Sequence, residues 1–504
     1  MQNPLRNLPS VNDLMDRPAL RDMLDTVSRS VVVSGVRSFL DNLRQDIRTA
    51  AVDFKPPTPG ELAERIAEWI SREETPKLRP VVNGTGVLLH TGLGRAPLAE
   101  EAIAAMGEIA RGYATLEVDA VTGERSQRIG AVESLLCELT GAEAAAVVNN
   151  NAAATMLTLT ALAHGREVIV SRGQLIEIGG SYRLPEVMTT AGAQLREVGA
   201  TNKTRIDDYR NALCQETAAL LRVHPSNYVV VGFASQPTLE ELVSLGRSRR
   251  IPVIDDIGSG ALIDLSRYGL HDEPIARDSI SQGADLVLFS GDKLLGGPQC
   301  GVIVGRKEWV DKLVRHPLMR AIRVDKTTLA ALGATLEMYR DAGKTAQRVP
   351  LLMLLDTPLE NLKHRAERLA PQIAATSGVA SAVAVETSAC LGGGSLPTQQ
   401  IPSWAIAVRP QSMSVDQLAA SLRNGLPSLF GRVHKDQLLI DLKAVFPYQD
   451  MQIAAAFETL GGKPKASTAA SGELLASTGE SAMEPSTGDA PSPDAAPPAE
   501  DTAE

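Results

Sequence analysis

The stretch ADLVLFSGDKLLGGPQCGVIVG, residues 284–305, holds two short apolar runs separated by a glycine-rich turn that carries one lysine, Lys293. Each run is rich in Val, Leu and Ile and too short for a helix, which predicts two buried strands. A lysine delivered by a buried strand into such a turn is held at a rigid sheet edge. Burial there lowers the amine's pKa and makes it nucleophilic. A Schiff base is the chemistry that suits it. A surface lysine in an ordinary loop is the competing reading, and the surroundings must decide between them.

Outward from this stretch, the runs AAAVVNN, REVIVSR, YVVVGF, IPVIDD, ADLVLFS and CGVIVG recur between helical patterns. Strands spaced by crossover helices predict an α/β domain with a mostly parallel sheet covered on both faces. This large domain is expected over residues 81–345. The runs SWAIAVRP and DQLLIDLKAV predict a small C-terminal α+β domain over 346–462. Upstream, Thr58-Pro59-Gly60-Glu61 matches a capping box with proline at the first helical position. Leu62, Ile66, Trp69 and Ile70 then share one face of the helix it starts. Residues 10–50 show helical spacing too, at Leu14, Met15, Met23, Leu24, Val27 and Val31, so residues 1–80 read as an N-terminal helical domain and linker.

The net charge is -10, but the segment 463–504 carries eight acidic and two basic residues, leaving -4 for residues 1–462. That segment is rich in Ala, Ser, Thr, Pro and Gly and is expected to be a disordered acidic tail. The acidity therefore says little about nucleic-acid binding. No run of 18 apolar residues occurs and the first twenty residues lack a signal-peptide pattern, so a cytoplasmic protein without a membrane span is expected. Cys137, Cys214, Cys300 and Cys390 form no CxxC pair, which predicts buried free thiols and no metal site.

In open α/β sheets ligands bind beyond the carboxyl ends of the strands, where Lys293 falls. IPVIDDIGSG places Asp255 and Asp256 at another strand end, where a carboxylate can pair with a protonated pyridine nitrogen or simply cap a helix. VVNNNAAAT, residues 147–155, runs from a strand into a helix start; its N–H groups, with Asn150 and Asn151, form a phosphate seat or an ordinary capped helix. Ser290 can add a hydroxyl to that phosphate, and His90 either stacks on a cofactor ring or caps its loop. Gln236 is explained as well by a turn. A phosphate seat, a carboxylate and a lysine on successive strands are what a pyridoxal-phosphate enzyme of the aspartate-aminotransferase fold needs.

The segments VVNGTGVLLHTGLGRAPL, ERSQR, ASQPTLEEL, DDIGSGALIDLSRYGL, LVLFSGDKLLGGPQCGVIVG and HPLMRAIRVDK resemble, in order over about residues 5–450, the L-seryl-tRNA(Sec) selenium transferases, the bacterial selenocysteine synthases. The resemblance implies a fold-type-I enzyme that uses pyridoxal 5'-phosphate and assembles as a homodecamer, a ring of dimers. It implies conversion of seryl-tRNA(Sec) to selenocysteinyl-tRNA(Sec) with selenophosphate as donor, through elimination to an aminoacrylyl-tRNA, with residues 1–75 gripping the tRNA. No membrane and no DNA enter this reading. In it Lys293 anchors the cofactor and acts as base, and Asp256, which leads into Ile257-Gly258-Ser259, is preferred over Asp255 at the ring nitrogen. Asp292 assists proton transfer, and Arg95, Arg320 and Arg323 line the selenium-donor site. Arg320 and Arg323 lie one helical turn apart and are expected on one helix face. A related lyase or aldolase acting on a small amino acid or sugar-acid phosphate would keep Lys293 and Asp256 but not need the N-terminal region. Nothing in these motifs separates selenium from sulfur.

Overall fold

A computed structural model describes residues 8–49, 57–74, 76–126, 128–179, 182–271, 273–393 and 395–460. The acidic tail expected over 463–504 lies outside them. Seven strands build the main sheet: β3 (Ala144–Val148), β4 (Glu167–Ser171), β7 (Gln194–Val198), β8 (Thr217–Val223), β9 (Val253–Gly258), β10 (Leu286–Ser290) and β11 (Gly301–Gly305). A two-stranded ribbon, β5 (Glu177–Ile178) with β6 (Tyr182–Arg183), stands apart from it. The order across the main sheet is β3-β11-β10-β9-β8-β4-β7, and β11 alone runs against its neighbours. Every residue of β3, β10 and β11 is buried, as a sheet covered on both faces requires.

One expected strand is absent. YVVVGF forms no strand; Val229, Val231 and Phe233 are exposed at 52%, 88% and 94%. The strand in this part of the sheet is β8, TAALLRV, which ends just before His224-Pro225. Pro225 has no N–H for the ladder, so the sheet stops there and the apolar run beyond it is loop. The reading also passed over β7, whose LREV pattern is half charged, and a long strand, β12 (Val379–Gly392), built largely of small residues.

The second sheet has the order β1-β14-β15-β13-β12-β2, with β1 (Val81–Gly84), β2 (Val87–Leu89), β13 (Ser395–Pro410), β14 (Ser428–His434) and β15 (Gln437–Asp441). Residues 81–89, placed at the head of the large domain from sequence, therefore hydrogen-bond into the sheet of the C-terminal strands. β1 runs parallel to β14 and β2 parallel to β12, while Thr85 bridges Asp441 between them. Gly86 makes this crossing possible: its φ is +79°, and a Cβ there would stand 2.6 Å from Asp441 Oδ2.

Buried apolar side chains gather into separate cores around the two sheets, and a third in the N-terminal helices. That third core joins Leu14, Leu20, Val32, Val36 and Leu40 to Leu62, Ile66 and Ile70. The helical spacing over 10–50 is broken into Val11–Met15, Pro18–Asp22 and Arg29–Thr49, because Pro18 starts a new helix. The helix Pro59–Glu74 opens on the expected capping box, with Thr58 N donating to Glu61 Oε2 (2.9 Å) and Glu61 N to Thr58 Oγ1 (3.3 Å). Trp69 packs edge-on against Phe39. The four cysteines are free thiols, but only Cys300 is buried; Cys214 is exposed. No helix among the described residues is long and apolar enough to cross a membrane.

Candidate active site

Strand β10 ends at Ser290 and the chain turns at once. Gly291 N donates to Cys300 O, Gly297 N to Gly291 O and Gly296 N to Lys293 O. A side chain at residue 291 would meet Cys300 Sγ at 2.4 Å and Pro298 O at 2.7 Å, so only glycine lets the turn close this tightly. Lys293 is thereby held 5% exposed and Asp292 7% exposed. Burial pushes the Lys293 amine below the usual lysine range and Arg95 adds to this, while Asp256, Asp292 and Glu273 oppose it. The result is an amine more available in its neutral form than a surface lysine.

On β9 successive side chains point to opposite faces. Asp255 faces Arg222, whose Nη1 lies 3.1 Å from each carboxylate oxygen. Asp256 faces the helix Asn151–Ala163, accepting from Asn151 Nδ2 (2.8 Å) and Thr155 Oγ1 (3.0 Å), and its charge is felt by Lys293. Burial raises Asp256; the bonds from Asn151 and Thr155 pull it back, as does Lys293. The Tyr182 phenol is raised by burial and by Asp256 nearby.

The helix Asn151–Ala163 starts at the end of β3, capped by Asn150, whose side chain accepts from Ala153 N (2.8 Å). Its first N–H groups and positive dipole end face the strand ends, a setting suited to phosphate. Asn151 directs its side-chain Nδ2 to Asp256. Ser290 is buried at the end of β10, and His90 follows β2, with Arg95 N and Leu93 N donating back to its carbonyl. His90 Nδ1, Asn151 Oδ1 and Ser259 Oγ are buried without partners. Asp256 has only neutral hydrogen-bond donors, from Asn151 and Thr155. Orphaned polar atoms around a desolvated carboxylate and a buried lysine fit a cofactor carrying a protonated ring nitrogen, an aldehyde and a phosphate.

Each of the three arginines has its own setting, and one expectation, the shared helix face of Arg320 and Arg323, is not met. Arg95, in the left-handed region at φ +63°, reaches Asp292 with Nη1 2.7 Å from Oδ2. Arg320 is exposed in the last turn of the helix Pro317–Ile322. Arg323 lies beyond that helix with extended backbone, so the two do not share a helix face. Its guanidinium lies 3.6 Å from Glu117, which also pairs with Arg125 and Arg128. Asn149 N donates to Ile322 O and Val148 bridges Arg323, which brings this strand of chain beside the start of the Asn151–Ala163 helix. Gln236 is occupied by Gln174, which in turn accepts from Val223 N, so it braces the end of β8.

Four residues escaped the sequence reading. Thr155 and Asn151 are spaced i, i+4, so once the helix is expected their common face is a usable signal. Tyr182, on β6, and His224 and Glu273, in loops, carry no such signal. Glu273 is half-buried, and desolvation raises its carboxyl to about 7, with Ser259 and then Lys293 pulling it down. His224 is lowered to about 4 by burial and by Arg222. Both line a polar cavity of about 260 Å³ with Arg222 and Asp278. A larger cavity, about 680 Å³, lies under residues 114–130 and is lined by none of Lys293, Asp256 or Asp292. Size alone therefore does not mark the reactive centre; the buried charges do.

Comparison with known proteins follows the same residues. A family model described as L-seryl-tRNA selenium transferase matches residues 81–446, and one described as selenocysteine synthase N terminal matches residues 5–44. The L-seryl-tRNA(Sec) selenium transferase of Geobacter sulfurreducens is 46% identical over 456 residues, 90% of this chain and 98% of its own. That of Carboxydothermus hydrogenoformans is 46% identical over 445 residues, 88% of this chain and 95% of its own. Among solved structures, that of D-glucosaminate-6-phosphate ammonia-lyase covers 76% of this chain and 98% of its own at a TM-score of 0.53 and 22% identity. That likeness is one of fold, the α/β fold of the fold-type-I pyridoxal-phosphate enzymes.

Proposed function

The chain belongs to the L-seryl-tRNA selenium transferase family, and from that premise we propose how its residues convert L-seryl-tRNA(Sec) to L-selenocysteinyl-tRNA(Sec). Pyridoxal 5'-phosphate, when bound, supplies an electron sink for the α-carbon of the seryl group. Lys293 would hold its aldehyde carbon and Asp256 its ring nitrogen. The Asn150-capped helix start and Ser290 would hold the phosphate, and His90 would cover the ring. Asn151 and Thr155 orient the Asp256 carboxylate.

Lys293, once free, takes the proton from the α-carbon, for which a desolvated amine is suited. Asp292, its carboxylate held by Arg95, relays that proton from Lys293 to the departing β-hydroxyl, which leaves as water. Arg95, Arg320 and Arg323 bind the anionic selenium donor, selenophosphate, with planar guanidinium forks. Its selenium adds to the β-carbon while the proton it sheds returns through Lys293 to the α-carbon, and water then cleaves the selenium–phosphorus bond and releases phosphate. The N-terminal helices bind the tRNA. The enzyme works in the cytoplasm, where aminoacylated tRNA is made, as a homodecameric ring of dimers.

One juxtaposition carries this reading: a buried lysine between a helix-held carboxylate, Asp256, and an arginine-held one, Asp292. The test is incubation of the purified protein with seryl-tRNA(Sec) and selenophosphate, free serine being the competitor. Selenocysteinyl-tRNA is the expected product. Efficient turnover of free serine with seryl-tRNA ignored would overturn the assignment.

A further inference from the structure

Glu273 lines the 260 Å³ polar cavity, and its charge is felt by Lys293. Both of its carboxyl oxygens are shut off from solvent and have no hydrogen-bond partner, and the nearby Ser259 hydroxyl is equally unpartnered. A buried carboxyl left without partners costs stability, so its retention beside a reactive amine calls for a use. On its far side the cavity is lined by Arg222, His224, Asp278, Ser279 and Gln282, and the exposed Asp278 and Gln282 form its mouth.

The groups around Glu273 leave it as the one poised to titrate near neutrality. From the end of β8, Arg222 is paired with Asp255, and His224 stays neutral at any pH above about 4. From the end of β9 comes Ser259, whose carbonyl accepts from Leu294 N and so lies against the lysine turn. From the turn after β10 comes Lys293, with Asp292 turned to Arg95. From the helix Ala276–Ser281 comes Asp278, at the solvent edge. Burial holds Glu273 up at about 7.

We propose that Glu273 is a positioning residue that sets the charge of Lys293 and exchanges its own proton with solvent through this cavity. Ionised Glu273 favours the Lys293 ammonium and protonated Glu273 favours the neutral amine. The proton that Glu273 gains or loses passes to or from solvent in the cavity. The inference rests on Lys293 being the reactive amine.

The test uses the full-length chain freed of cofactor, with K293A, E273Q and E273D beside it. An amine-directed reagent labels Lys293, and mass spectrometry follows the rate across roughly pH 5 to 10, the range that spans the groups concerned. In the wild type the Lys293 rate shows an inflection at about 7, set by Glu273. In E273Q the inflection is lost. Above it Lys293 reacts about three- to tenfold faster, because an anion that favoured the ammonium is gone. E273D keeps an inflection at a displaced pH. With cofactor restored, E273Q lowers kcat about tenfold while KM for seryl-tRNA holds. A Lys293 curve that is present but lacks the inflection, or is unchanged in E273Q, overturns this inference alone. A wild-type curve no different from K293A overturns the Lys293 assignment with it. The wild-type inflection needs no variant, so the test stands even where a variant fails to assemble.

Discussion

A single pair of adjacent aspartates shows what one residue's environment decides. Asp255 and Asp256 are indistinguishable in composition, yet strand alternation sends one to Arg222 and the other to Asn151, Thr155 and Lys293. D256N keeps the shape and both neighbours but loses the charge, and seryl-tRNA turnover is expected to fall at least about 100-fold, comparable to the loss of an acid–base group. T155V removes one hydrogen bond to that carboxylate and should cost about tenfold, the worth of one bond to a charged group; kcat measured with saturating tRNA checks both. R222L, in contrast, leaves Asp255 buried and unpaired. It should lower stability by about 3 kcal/mol, read by denaturant unfolding, and an unchanged midpoint would refute the pairing. Lys293 and Asp256 were legible because each follows a recognisable apolar strand. Glu273 was not, since it sits in a loop with no motif and gains its meaning only from Ser259 and Lys293 brought to it by the fold.

At the scale of the element, helix starts organise both the site and its support. The helix Lys326–Tyr339 begins at Asp325, whose carboxylate accepts from Thr327 N (2.7 Å) and Thr328 N (2.9 Å). Hydrogen bonds from Thr327 and Thr328 hold Asp325 down at about 2, against an ordinary value near 3.8. A depressed carboxylate contributes stability that is present above its unfolded pKa and lost as pH falls through its folded one. D325A should therefore cost about 1 kcal/mol at neutral pH, with the difference from wild type shrinking between about pH 4 and pH 2. Thermal unfolding followed against pH is the measurement, and a difference that persists unchanged at pH 2 would count against the cap. The arginine pair shows the limit of element-level reading: i, i+3 spacing in HPLMRAIR suggested one helix face, but the helix stops at Ile322 and Arg323 leaves it with extended backbone. Spacing predicts a shared face only where the helix is known to continue. The missed β12 has the complementary cause: GVASAVAVETSACLG has small residues on both faces and little alternation to read.

At the scale of the molecule, the N-terminal helices have a core of their own, separate from those of the two sheets. Removal of residues 1–75 is expected to leave the cofactor's visible absorbance intact while raising KM for seryl-tRNA at least about tenfold, the loss of one modest contact surface. K293A should do the reverse, abolishing the absorbance while tRNA still binds. If the truncated chain turned over tRNA with an unchanged KM, the helices would have no part in binding it. The α/β class was plain from the run of strands, because buried parallel strands leave unmistakable apolar segments. The path of residues 81–89 was not, because a strand's partner depends on chain that comes hundreds of residues later.

That path has a kinetic price. Val81 pairs with Ser428 and Val87 with Cys390, contacts between positions separated by most of the chain. Non-local pairings of this kind close slowly, since the loop entropy is lost before any contact rewards it. The turn that carries His90 and Arg95 hangs from β2, so the Arg95–Asp292 link is expected to be among the last features to mature. On the ribosome, Lys293 emerges well before the strands that seat its arginine neighbour. A nascent chain would therefore acquire its lysine turn early and the Arg95–Asp292 pair only after the strands that hold residues 390 and 428 have been made.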